Sequence, residues 1–121
     1  MQEYSAVLTN EAIYDIVDIY IRIKIQFSSE IAKAFRDNII KQIKLIESVP
    51  KFFSRVFIFY REYMIHFKVF SPSLIFYIIE EETKEVHVLR VLREEQDWMR
   101  ILRETDSYSY PDEGFDIFEE L

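Results

Sequence analysis

Three side chains in this sequence form a usable set for acid–base work beside a phosphate: His66, Lys68 and Arg90. Cutting RNA without a metal needs a base for the 2′-hydroxyl proton, a cation for the phosphate and an acid for the leaving oxygen. His66 is the titrating candidate, because an unperturbed imidazole changes charge near neutrality. His66 and Lys68 lie two residues apart in the alternating stretch Tyr63–Val69, so they share one face of a strand. Arg90 joins them only if strand register brings it round, and composition does not set register. The competing reading is an ordinary solvated strand face with a few charges. His87 alternates with Val86 and Val88, so it is expected on the other side in a non-catalytic role.

A second basic feature is the strand end Arg90–Arg93 before Gln96-Asp97-Trp98. An offset of three puts the two arginines on opposite faces of a strand. Arg90 is the better functional candidate, and the bland alternative is an edge ion pair such as Arg93 with Glu94 or Glu95. Lys51, Arg55, Arg61 and Lys68 sit among Phe52, Phe53, Phe57, Phe59 and Tyr60. Bases interleaved with aromatics can grip a nucleic-acid strand. In a body without net charge they read better as core or partner-contacting residues. Arg61 and Arg93 are the basic partner-binding candidates.

These residues need elements to hold them. Glu3–Leu8 reads as a strand, with Thr9 and Asn10 as candidate N-caps for the helix that follows. Ala12, Ile16, Ile19, Tyr20, Ile23 and Phe27 recur every three or four residues and mark its apolar face. Ile13 and Ile25 fall off that face and are candidates for a partner's surface. Ser28-Ser29-Glu30 starts a second helix with Ala32, Phe35, Ile39, Ile43 and Ile46 inward; Val49-Pro50 ends it. With almost no linker, the two form an antiparallel hairpin. Three strands then follow: Tyr63–Val69, the doubly apolar Leu74–Ile79 and Val86–Leu92, with a charged turn over Glu80–Glu85. Glu95–Arg103 is a short closing helix. Trp98, Phe35 and Tyr77 are expected to be structural anchors.

Composition excludes much else. The 121 residues make one domain, half of them hydrophobic and 17% aromatic. The one glycine, Gly114, excludes phosphate-cradling glycine loops. The absence of cysteine excludes disulfides, thiolate metal sites and a thiol nucleophile, and it fits the cytoplasm. Two histidines are too few for a histidine-based metal site, so neither metal nor organic cofactor is expected. No stretch approaches the roughly 20 apolar residues of a membrane span. The net charge of −7 is misleading. Residues 104–121 hold seven acids and no base, which leaves fifteen of the 22 acids to balance the 15 bases of the body.

The order and spacing of Val7-Leu8-Thr9-Asn10-Glu11-Ala12, Asp15-Ile16, Asp18-Ile19-Tyr20-Ile21, Ala34-Phe35, Pro50, Ile75-Phe76-Tyr77-Ile78, Val88-Leu89-Arg90-Val91-Leu92, Gln96-Asp97-Trp98 and Ile101-Leu102 resemble the RelE/ParE superfamily of bacterial type II toxins. The resemblance spans roughly residues 3–103. It implies an α+β fold: an N-terminal strand, an antiparallel helical hairpin on a twisted antiparallel sheet, and a short C-terminal helix. It also implies a cognate antitoxin and one of two activities, poisoning of DNA gyrase or cleavage of mRNA on the ribosome. A homodimer or a hetero-oligomer with antitoxin fits either. The ParE-like members often carry histidine where Arg93 stands. The RNA-cleaving members usually place an arginine where this chain reads Ser73-Leu74. The thin catalytic set leans the expectation towards gyrase poisoning, with ribosome-dependent mRNA cleavage or a detoxified binding protein as alternatives.

The division expected is a toxin-like domain over residues 1–103 and an acidic, aromatic tail over 104–121. Disorder and solubilisation are one reading of that tail. Phe115, Ile117, Phe118 and Leu121 suit another, in which it folds back near Arg90 or docks on a second copy.

Overall fold

The structure is a computed structural model that describes residues 3–121. Strand β1 (Ser5–Leu8) leads into α1 (Asn10–Gln26) and α2 (Ser29–Ser48). Four strands follow: β2 (Ser54–Tyr60), β3 (Tyr63–Phe70), β4 (Ser73–Glu80) and β5 (Glu85–Arg93). Helix α3 (Trp98–Glu104) and a single turn, α4 (Ile117–Glu120), complete the chain. No helix among the described residues is long and apolar enough to cross a membrane.

Capping chemistry sets the helix boundaries. Thr9 Oγ1 accepts from Ala12 N at 2.9 Å and Ser28 Oγ accepts from Ile31 N at 3.1 Å, each satisfying a donor that the first turn leaves free. The hairpin is tied to the sheet at its exit, where the Tyr77 hydroxyl donates to the Pro50 carbonyl. Helix α3 starts at Trp98, later than the expected Glu95. The Gln96 side chain accepts from Arg93 N, and Trp98 N donates to Gln96 O, so these residues close a turn instead.

The sheet has the order β1-β5-β4-β3-β2. It is antiparallel from β2 to β5, and β1 joins the far edge parallel to β5, with Leu8 opposite Val88. The expected doubly apolar strand is therefore the central one, β4. The pattern reading gave three strands after the hairpin; the structure has four. Strand β2 does not alternate in residue type, because Phe57 and Phe59 point outward between the inward Val56, Ile58 and Tyr60, so both of its faces are apolar. The β2–β3 turn puts Arg61 at φ 56, a left-handed position, with its guanidinium 5.1 Å from the Tyr60 ring centroid.

Two apolar clusters cover the two faces. One lies between the hairpin and the sheet, with Ala12, Ile16, Ile39 and Ile46 against Ile75, Tyr77, Val88 and Val91. Phe35 packs at its margin and stacks on Phe70 at 5.9 Å. The other cluster holds Ile65, Phe76, Leu89 and Leu92, closed by α3 through Leu102 and by Trp98, whose ring lies 5.3 Å from Phe76.

Thr9 links this packing to local structure, since its hydroxyl also donates to Leu89 O at 2.8 Å in a fully buried position. Thr9→Ala should destabilise the protein by about 1–2 kcal/mol and Thr9→Ser by less than half of that, read from urea denaturation midpoints.

Candidate functional site

The parallel pairing of β1 stops at Val88, so β5 continues to Arg93 with one edge uncovered. Side chains take the place of the missing strand. Thr9 Oγ1 donates to Leu89 O, Asp15 Oδ2 accepts from Val91 N at 2.9 Å, and Gln96 Oε1 accepts from Arg93 N at 2.8 Å. A bulge in β5 between Val88 and Arg90, opposite Phe76 and Tyr77, shifts register where Arg90 emerges.

Arg90 is spent on this edge. Its Nε and Nη2 donate to the two oxygens of Asp15 at 2.7 and 2.8 Å, a bidentate pair with both side chains largely covered. Burial pushes the Asp15 carboxyl up, against the downward pull of Arg90 and the Val91 N–H. The hydrogen bond to Asp15 holds the Arg90 guanidinium up. For Asp15 burial outweighs the pairing, whereas for Arg90 the hydrogen bond to Asp15 outweighs burial.

His66 and Lys68 do share a face of β3, as expected, but they do not meet Arg90. Their cross-strand neighbours on β4 are Tyr77 and Ile75, and those face Val88 and Val91 on β5. Two strand spacings, roughly 10 Å, separate that row from the β5 edge. His66 stacks on Tyr77 at 5.4 Å, and Lys68 Nζ lies 5.0 Å from the centroid of Phe53. The neighbour the trio omitted is Arg55, directly opposite His66 on β2. Burial and the Arg55 charge lower the His66 pKa, and a backbone hydrogen bond with Phe53 only partly offsets them. Around His66 lies an open cleft with Lys51, Phe52, Arg55, Phe57 and Met64 on its walls. His66 Nδ1 has no hydrogen-bond partner there.

The remaining candidates scatter. Arg93 points to the hairpin side, pairs with Glu95 at 3.5 Å, and borders an apolar groove of about 460 Å³ lined by Ile23, Phe27, Ile31, Phe35 and Phe70. Ile25 is 78% exposed and Arg61 is exposed, so both are free to touch another molecule. Ile13, expected as surplus surface, is instead buried, because the tail from Tyr110 to Phe118 covers that side of α1. His87 is held by Tyr110 on one nitrogen and by Glu80 and Glu85 on the other. Asp15 and Gln96 were legible as members of the motif but not as the partners of the β5 edge; two acids one turn apart on α1, Glu11 and Asp15, were the available signal.

Asp15→Ala should cost roughly 3 kcal/mol, because it strands a covered guanidinium, whereas Asp15→Leu combined with Arg90→Met should recover most of that loss. Denaturant melts of the single and double variants measure both. The lowered His66 pKa predicts a pH effect. Above pH 6.5 neutral His66 contributes fully; as pH falls from there through the lower folded-state value, the unfolded chain binds the proton first and stability is lost. His66→Gln should flatten that part of the decline in melting temperature between pH 7.5 and 5.5.

Residues 6–98 match the family described as the ParE toxin of the type II toxin-antitoxin system, parDE. A solved structure of the chromosomal ParDE toxin–antitoxin system from P. aeruginosa has the same fold at a TM-score of 0.64. It is 20% identical and aligns over 75% of this chain and 96% of that one. A search of curated proteins finds no match. The strand–hairpin–sheet order, the motif that places Asp15 against Arg90, and a family match over most of the sequence agree: this chain belongs to the ParE toxin family of type II toxin–antitoxin systems.

Proposed function

We propose that this protein is a growth-arresting toxin that poisons DNA gyrase through protein contacts, without catalysis, in the cytoplasm, and that a cognate antitoxin silences it. One observation carries the non-enzymatic reading: the strongest cation of the motif, Arg90, is locked to Asp15 and lies two strands from His66. A metal-free ribonuclease needs its base, cation and acid around one phosphate. Ser73, at the place where RNA-cleaving relatives usually carry arginine, is buried and short, and so offers no charge to solvent. The exposed apolar side chains Ile25, Phe27 and Ile31 at the hairpin turn, beside the groove at Arg93, suit contact with another protein.

The ribonuclease reading keeps one specific support. The cleft at His66 joins a histidine, Arg55 and two exposed rings, Phe52 and Phe57, which can stack on bases. A detoxified toxin-fold binding protein is the third possibility, favoured by the covering tail.

Induction of the protein alone in a bacterium distinguishes the three. Gyrase poisoning predicts growth arrest with a DNA-damage response and intact transcripts, and His66→Ala should arrest growth as the wild type does. Transcript cleavage lost with His66→Ala would overturn the proposal in favour of the ribonuclease. Normal growth would leave only the binding protein.

A further inference from the structure

Helix α1 has two apolar faces. One is buried against the body through Ala12, Ile16 and Tyr20. The other looks outward. Tyr14, Ile21 and Ile25 are 68%, 47% and 78% exposed, so no other element covers them. With Asp18 between them, they follow one another at spacings of four, three and four residues. That is the a/d seam of a heptad repeat, a single straight stripe along the helix. A helix that had only to cover the sheet would carry polar side chains there.

The charges in the stripe say what fits it. Asp18 lies in the seam and Arg22 beside it, paired within the helix at 2.9 Å, with both side chains more than half exposed. A second copy of α1, laid antiparallel across a two-fold axis, sets Tyr14 against the copy's Ile25. It also sets Asp18 against the copy's Ile21, next to the copy's Arg22. Asp18 and Arg22 flank the same side of the stripe, so the axis creates two identical ion pairs and the four charges alternate in sign. A parallel arrangement would instead press Asp18 against its own copy, two like charges in an apolar seam. The stripe is self-complementary in one orientation.

We propose that this stripe is a homodimer interface, in which two copies of the protein join through antiparallel α1 helices. Tyr14, Ile21 and Ile25 are the apolar anchors, and Asp18 and Arg22 fix the orientation. A pair of 17-residue helices lies at the small end of interface sizes, so the dimer should be reversible and form in the micromolar range. The inference holds whichever target the toxin has.

Sedimentation equilibrium of the full chain across the micromolar range tests it. Wild type should pass from monomer to dimer. Asp18→Arg and Arg22→Asp each set like charges across the axis, and each should weaken dimerisation roughly tenfold. Mixed in equal amounts, the two single variants should form a heterodimer as tight as the wild-type dimer. The double reversal D18R/R22D should dimerise with itself equally well. Both positions are exposed, and a like-charge pair one turn apart costs a helix little, so the fold is kept. The proposal is overturned if wild type stays monomeric, including the case in which Ile25→Asp then abolishes capture of a co-expressed antitoxin. It is equally overturned if the single variants dimerise as tightly as wild type, or if their mixture dimerises no better than either alone.

Discussion

The uncovered edge of β5 is the constraint on which this molecule turns. A strand buried on both faces cannot leave its backbone groups unpaired, since each would cost on the order of 1–3 kcal/mol. β1 covers only the first half of β5, and the second half is completed by Thr9, Asp15 and Gln96. The start of α1 must therefore lie against β5, which orients the whole hairpin on the sheet. The same requirement draws Arg90 to Asp15 and takes it away from the other basic residues. Structure has first claim on the residue that looked most chemical.

Much of this was legible in the chain. Thr9, Ser28 and Pro50 are local signals, and they bound the two helices as expected because caps and proline act within a turn. Leu74–Ile79 was recognisable as a central strand because both of its faces are apolar. What escaped needed information from afar. β2 was hidden by the outward Phe57 and Phe59, which make both of its faces apolar, and burial of Ile13 depends on residues about a hundred positions later. Whether Arg90 met His66 depended on strand order and on a bulge. The motif identified the family without showing what its arginine does.

The two faces of the sheet are used differently. One is sealed by α1 and α2 with aliphatic side chains, mostly isoleucine. The other is sealed by the small α3 and by aromatics, including Tyr108, whose ring meets Tyr60 at 4.9 Å. The tail therefore starts as part of one face and ends on the other side of the molecule, with the start of α1 between. Of its acids, Asp112, Glu113 and Asp116 border the groove lined by Ile13, Ile40 and Ile43.

The parallel pairing of β1 with β5 also governs when the protein can exist. Ser5 faces Glu85 and Leu8 faces Val88, so the first strand made is completed by the last. During synthesis the hairpin can form early, but the strand that anchors it, β5 at residues 85–93, is made only about forty residues after α2 ends at Ser48. Contacts so distant in sequence carry a loop-closure cost before they return any stability, and they slow folding. A chain interrupted before β5 lacks the strand to which α1 is anchored. A toxin built this way is assembled all at once and late, which keeps incomplete chains from presenting the finished surface.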